Sequence, residues 1–167
     1  MMQYVDLELY YNIVFEFIYR YLTNEEPAPH YEEEPDGIEK LKKVLGLVQV
    51  DEYYPDFYEK AAYMICSIAG SQYFSNGNKR LAVATLLFFL IENEAEILDT
   101  STDDYKNILE REFESCTWDS NVNIRGEHPL FLYNLAVVIG TRKCWGTNDF
   151  SVLKEKVASI FRTIYRI

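Results

Sequence analysis

The sequence predicts an all-α fold, a bundle of about seven helices around a buried central helix. Three observations support this prediction. Apolar residues recur at helical spacing through several long stretches. Residues that favour helix N-termini or interrupt helices lie between those stretches. The run from Leu81 to Ile91 contains no charged residue, which indicates a helix enclosed by the core. Since there are no repeats and no low-complexity linker, we expect one domain over residues 1–167.

The helices have separate boundaries in the sequence. They are expected over residues 4–22, 37–48, 57–71, 79–92, 105–116, 129–140 and 149–165. Thr23 and Asn24 end the first helix. Residues 24–37 are rich in acids and contain three prolines, which disfavour helix. Two alternatives remain there, an irregular loop or a small β-hairpin.

Start signals precede most of the later helices. Asp36 and Asp56 are the predicted N-caps of the second and third helices, and a Ser or Thr within residues 101–104 caps the fifth. Pro129 suits the first position of the sixth helix, where a missing N–H costs nothing. Asp149 is expected to start the last helix.

The composition excludes several classes of function. A net charge of −11 and a pI near 4.6 argue against a nucleic-acid partner, which requires a broad basic face. A nucleotide stays compatible, because a single local cluster of donors can hold it. The uncharged apolar run of the central helix, residues 81–91, is about half of the roughly 20 residues that a membrane span needs, so no membrane partner is expected.

The cysteines and the N-terminus point to the cytoplasm. Cys66, Cys116 and Cys144 are widely spaced and odd in number, which is typical of free thiols in a reducing compartment. The first residues lack the basic flank and the cleavage site of a signal peptide.

Two cations stand at the predicted N-terminus of the central helix, directly after a polar loop. Lys79 and Arg80 are unfavourable there, since the helix dipole is already positive at that end. Gly77 permits a positive φ or a close backbone approach, and the first N–H groups of the helix point outward. Together these groups predict a site for an anion. The alternative is that both cations pair with surface carboxylates, which are abundant in this chain.

The segment Gln72 to Arg80, QYFSNGNKR, resembles the signature of the Fic/Doc family. That signature is His-x-Phe-x-Asp/Glu-Gly-Asn-Lys/Gly-Arg, a loop followed by a buried helix. The sequence on both sides is similar to the Doc-like branch, the death-on-curing type, so that the resemblance covers residues 36–93.

The resemblance implies a fold and a chemistry. Family members transfer AMP or a phosphate from ATP or a related nucleotide to a hydroxyl of a target protein, with Mg²⁺ as cofactor. It implies phosphate binding by Gly77, Asn78, Lys79 and Arg80, and a packing role for Phe74. A flap upstream, here residues 24–37, docks the target by strand addition.

Two positions depart from the family pattern. Gln72 stands where the family has the His that acts as base, and an amide accepts no proton at neutral pH. Asn76 stands where the family has the acid that holds Mg²⁺, and it is a weaker ligand for that ion. We therefore expect a pseudoenzyme that keeps the phosphate-binding loop and has lost most or all transfer activity. The alternative is an active toxin with a non-standard base, the partner of an antitoxin.

Three further residues are candidates for parts of such a site. His30, within the predicted flap, and His128 are the two histidines of the chain and the candidates for a relocated base, although an ordinary surface or loop role suits each better. Glu155, four residues after Ser151, has the spacing of the family's inhibitory Ser/Thr-x-x-x-Glu. A solvent-facing Glu beside lysines is the simpler interpretation of that pattern.

Overall fold

The structure is a computed structural model that describes residues 1–22, 27–114, 116–141 and 149–167. Within these ranges the regular structure consists of seven helices, one 3₁₀ turn and a two-stranded sheet, which confirms the predicted all-α fold. The first helix, α1, is made of Leu7–Leu9, a π-helical stretch Tyr10–Val14, and Phe15–Tyr21. The others are α2 Pro35–Leu47, α3 Phe57–Ala69, α4 Asn78–Glu92, α5 Thr102–Glu112, α6 Glu127–Gly140 and α7 Phe150–Ile164.

The buried central helix is α4. Residues 80–86 are all buried, and the helix packs against α1, α3 and α6. Its one fully buried hydroxyl, on Thr85, bonds the Tyr10 hydroxyl and donates to the Leu81 carbonyl at 2.7 Å. At 15 residues α4 is shorter than a bilayer core. None of the helices in the described ranges combines the length and apolarity that a membrane crossing requires.

Three predicted N-caps are confirmed. The side chain of Asp56 accepts from the Glu59 N–H, that of Ser101 accepts from the Asp104 N–H, and that of Asp149 accepts from the N–H groups of Ser151 and Val152. Each satisfies a backbone donor that the first helical turn leaves without a partner. These caps fix where α3, α5 and α7 begin.

Two predicted helix starts are wrong. The second helix begins at Pro35, so Asp36 lies inside its first turn and is not its cap. The sixth begins at Glu127, two residues before Pro129. Pro129 therefore occupies the third position, which it tolerates because the first-turn N–H groups have no helical partner.

The hairpin alternative for residues 24–37 is wrong for the part that the structure describes. Residues 31–33 form a 3₁₀ turn, α2 starts at Pro35, and no strand occurs within residues 27–37. Residues 24–26, and the predicted helix end at Thr23 and Asn24, lie outside the described residues. The sheet is elsewhere: β1, Glu96–Ile97, pairs antiparallel with β2, Tyr165–Arg166, and ties the end of α7 to the chain after α4.

The thiols are distributed through the chain. Cys66 is buried in α3, and Cys116 is partly buried after α5. No disulfide joins these two, and Cys144 lies outside the described residues.

Candidate functional site

The backbone turn before α4 depends on Gly77. This residue has φ of +73° and ψ of 13°, a left-handed conformation that side chains other than hydrogen resist. It supplies no side-chain cap, and the first helical bond runs from the Leu81 N–H to the Gly77 carbonyl at 2.9 Å. The N-terminus of α4 is thus left without a capping side chain from the residue that precedes it.

Asn78 holds the motif loop, residues 71–77, in shape. Its Oδ1 accepts from the Phe74 N–H at 3.0 Å, and its Nδ2 donates to the Phe74 carbonyl at 2.9 Å. Both ends of this amide therefore bond the backbone of one residue. Phe74 is itself buried and packs edge-on against Tyr31 at 5.0 Å between ring centroids.

The segment of residues 27–34 lies against the motif loop. The buried Tyr31 hydroxyl donates to the Gly77 carbonyl at 2.9 Å. Burial raises the pKa of this phenol, and the Arg80 charge lowers it in part, so it remains a donor at neutral pH. A Cβ on Gly77 would collide with the Tyr31 hydroxyl and lie 2.9 Å from Pro29 Cδ. The turn and this segment therefore fit only with glycine at position 77.

The Pro27 carbonyl accepts two side-chain donors from the loop and α4. Asn76 Nδ2 donates to it at 3.2 Å, and Arg80 Nη2 donates to it at 3.3 Å. Asn76 Oδ1 also accepts from the Gly77 N–H at 2.6 Å. Both ends of the Asn76 amide are engaged within the fold.

Glu34 makes a further contact between the segment and the loop. Its carboxylate accepts from the Ser75 N–H at 3.0 Å, across 41 residues of sequence. Gly37, in α2, lies so close to the loop that an added Cβ would stand 2.6 Å from the Phe74 ring and 2.7 Å from the Tyr73 carbonyl. The motif loop is therefore held from one side by residues far from it in sequence.

A pocket of about 240 Å³ opens beside the loop and the start of α4. Its described lining residues are Ala69, Gly70, Ser71, Gln72, Ser75, Asn76, Gly77, Asn78, Lys79, Arg80, Tyr133 and Gly140. All the predicted site residues except Phe74 are among them. The charged side chains in this lining are two cations, Lys79 and Arg80. Ligand pockets generally measure roughly 300–1,000 Å³, so this one suits a small group or one part of a nucleotide.

Lys79 is partly buried and lies along Gly140 of α6. A Cβ on Gly140 would stand 3.0 Å from Lys79 Cε, so glycine at that position leaves room for the lysine stem. Among the described residues, no carboxylate forms an ion pair with Lys79. Arg80 is 4% exposed. For Lys79, the alternative of pairing with a surface acid is thus not observed within these ranges.

Gln72 is exposed and contributes to the pocket wall. The described contacts include no hydrogen bond of its side chain. Neither histidine joins it: His30 is exposed on the 27–34 segment, and His128 is buried in α6, where it bonds the Tyr165 hydroxyl at 2.7 Å. The part of the lining that the structure describes contains no Asp, Glu, His or Cys.

Glu155 lies away from this pocket. Together with Ser151 it lines a different hollow of about 200 Å³, beside Tyr54, Lys154 and Arg162. The simpler interpretation of the Ser151 and Glu155 pattern therefore agrees with the structure.

The comparison with protein families picks out the same region. Residues 8–90 match the Fic/DOC family model. The match contains the motif loop, most of α4, and the 27–34 segment that contacts them. It extends further toward the N-terminus than the predicted resemblance over residues 36–93. No curated protein and no solved structure gave a significant match.

Several residues that contact the motif loop or line the pocket could not be predicted from the sequence. Tyr31 and Glu34 contact the loop across 46 and 41 residues, and Tyr133 and Gly140 join the pocket from α6. Contacts of this range leave no periodicity and no motif. The cluster of acids and prolines at residues 27–35 indicated a loop, and nothing in it indicated which carbonyl or hydroxyl meets the motif.

Proposed function

We propose that the chain is a Fic-type protein of the Doc-like branch that binds a phosphate-bearing ligand at the start of α4 and has little or no transfer activity. The observation that carries this proposal is the chemistry of the pocket. It offers two cations and a helix N-terminus, and its described lining has no carboxylate, imidazole or thiol. ATP or a related nucleotide is the proposed ligand.

The anion-binding half of the site supports the proposal. Gly77 and the first residues of α4 line the pocket, where the helix dipole favours negative charge. Lys79 reaches the same space with a charge that no described acid neutralises. A phosphate group there would receive charge-assisted hydrogen bonds, which are about twice as strong as neutral ones.

The reactive half lacks what transfer would need. Gln72 occupies the family's base position, and an amide in place of a general base costs about 10²–10⁴ in rate. His30 and His128 lie outside the described lining, so neither imidazole compensates for it. We accordingly favour binding over catalysis, with an antitoxin or other protein as the proposed partner.

Isothermal titration calorimetry with ADP and ATP tests the binding half. We expect saturable binding to the wild-type chain and an affinity lower by on the order of tenfold in Lys79→Gln, the loss of one charge-assisted contact. Lys42→Gln is the matched control. Lys42 is exposed on α2, and its substitution removes the same charge away from the pocket. Equal affinities in the two variants would refute binding at the start of α4.

Transfer of radioactive label into lysate proteins tests the catalytic half. ATP labelled at the α-phosphate reports AMP transfer, and ATP labelled at the γ-phosphate reports phosphate transfer. We expect no labelling by the wild-type chain and labelling by the double variant Gln72→His with Asn76→Asp, which restores the family's two reactive groups. Strong labelling by the wild-type chain would establish the alternative, an active transferase.

A further inference from the structure

Mg²⁺ is the cofactor that a Fic-type site implies, and the residues at this site do not fit it. Mg²⁺ is a hard cation that requires octahedral oxygen ligands and is usually anchored by one or two carboxylates. Within the described residues, no group of three or more His, Cys, Asp or Glu could hold a metal ion. The described pocket lining offers no carboxylate at all.

Asn76, at the position of the family's acid, carries a neutral amide whose oxygen already accepts a hydrogen bond. Its Oδ1 accepts from the Gly77 N–H at 2.6 Å, and its Nδ2 donates to the Pro27 carbonyl at 3.2 Å. Turning the amide oxygen away from Gly77 would break the first bond, and a full flip of the amide would set Nδ2 against the Gly77 N–H, two donors, and Oδ1 against the Pro27 carbonyl, two acceptors. The side chain therefore fastens the 27–34 segment to the motif loop.

A carboxylate of that segment is also engaged in the contact with the loop. Glu34 accepts from the Ser75 N–H at 3.0 Å and 3.4 Å through its two oxygens and is not part of the pocket lining. Lys79 and Arg80 line the pocket beside a helix N-terminus, and Arg80 also donates to the Pro27 carbonyl. Like charges repel, so this surface disfavours a divalent cation and favours the anion alone.

Building on the proposed function, we propose that this site binds the phosphate groups of its ligand free of any divalent metal ion. The protein's cations then neutralise the phosphate charge that Mg²⁺ neutralises in a metal-dependent site. Mg²⁺ in solution competes with these cations, because it coordinates the same phosphate oxygens and the described pocket lining supplies no carboxylate ligand for it.

Calorimetry with ADP in EDTA and in millimolar Mg²⁺ tests this inference. We expect the wild-type chain to bind ADP more tightly in EDTA than in Mg²⁺. Tighter binding in Mg²⁺ would overturn the metal-free site and leave the proposed function intact. Absence of binding in both buffers would overturn the proposed function and this inference together.

Two variants check that the metal dependence is set at position 76. Asn76→Asp supplies a carboxylate, and we expect Mg²⁺ to strengthen ADP binding to it, reversing the wild-type order. Asn107→Asp is the matched control. Asn107 is exposed on α5, and its substitution adds the same charge away from the pocket. It should keep the wild-type order, and a reversal there as well would assign the effect to net charge and contradict the proposal. The wild-type comparison stands by itself if Asn76→Asp does not fold.

Discussion

Two regions of the molecule use polar side chains differently: the motif loop with the start of α4, and the pair of His128 and Tyr165. At the first, Lys79 and Arg80 line a pocket, and the Asn76 amide donates to the Pro27 carbonyl of the 27–34 segment. The pair is enclosed, with His128 9% exposed and Tyr165 fully buried, and its members bond each other at 2.7 Å.

The polar side chains of the two regions differ in their exposure and in their charge. Burial lowers the pKa of His128 to about 4, so its imidazole is neutral over most of the physiological range. Such a group stabilises the fold as an uncharged hydrogen-bonding partner. At the pocket, Lys79 lies next to a helix dipole of the same sign, an arrangement that stability alone disfavours. We infer that the pair serves the fold and the loop serves a ligand.

The largest effect is expected from breaking the loop with Gly77→Ala. A residue other than glycine at φ of +73° costs about 1–2 kcal/mol, and its Cβ would collide with the Tyr31 hydroxyl and Pro29. Overpacking typically adds about 1–3 kcal/mol, so we expect the free energy of unfolding to fall by about 3 kcal/mol in denaturant titration. A change below about 0.5 kcal/mol would contradict the rigid turn.

Gly46→Ala is the control for that experiment. Gly46 lies within α2, and a Cβ there would meet nothing within 4 Å. Alanine in a helix is more favourable than glycine, so this variant should gain about 0.5–1 kcal/mol. The opposite signs of the two substitutions would isolate the strain at Gly77 from the general effect of adding a methyl group.

The next effect is the pH dependence of stability at the enclosed pair. The folded pKa of His128 lies below its unfolded value of 6.5, so acid favours the unfolded chain, which takes up the proton first. Its contribution to stability is complete above pH 6.5 and is lost as the pH falls toward about 4, by up to about 3 kcal/mol. His128→Gln should show a shallower decline of the free energy of unfolding over this range.

His30→Gln provides the comparison for the titration of His128. His30 is exposed, and we expect the free energy of unfolding of this variant to fall with decreasing pH as that of the wild-type chain does. Carboxylates titrate in the same range, and the difference between the two variants removes their contribution. Identical slopes for His128→Gln and His30→Gln would show that His128 is not held neutral by burial.

The fold was largely predictable because its main determinants are local. Asp56, Ser101 and Asp149 cap helices through hydrogen bonds that span two or three residues, and such bonds leave a readable pattern. The prediction at Asp36 was wrong because α2 starts one residue before it, at Pro35, which suits the first helical position. Glu34 occupies the N-cap position, and its carboxylate bonds the Ser75 N–H instead of capping the helix.

The site was predictable on one side only. Gly77, Lys79 and Arg80 were candidates from the sequence alone, because a glycine before a helix and cations at its N-terminus are unusual next to each other, and all three line the pocket. The sequence could not identify the Pro27 carbonyl or the Tyr31 hydroxyl, since their contacts with Asn76 and Gly77 depend on how distant segments pack. The engagement of both ends of the Asn76 amide, on which the metal-free site depends, follows from those contacts.

The smallest effect on stability separates function from fold at Lys79. Lys79→Gln removes a cation from the positive end of the α4 dipole, so we expect the free energy of unfolding to rise by about 0.3–0.5 kcal/mol while ADP affinity falls. Lys42→Gln, inside α2, should change neither quantity by more than about 0.3 kcal/mol. Denaturant titration without ligand, beside calorimetry with ADP, measures both. A loss of stability in Lys79→Gln would mean that the lysine stabilises the fold. The inference that this region serves a ligand, unlike the pair of His128 and Tyr165, would then be wrong.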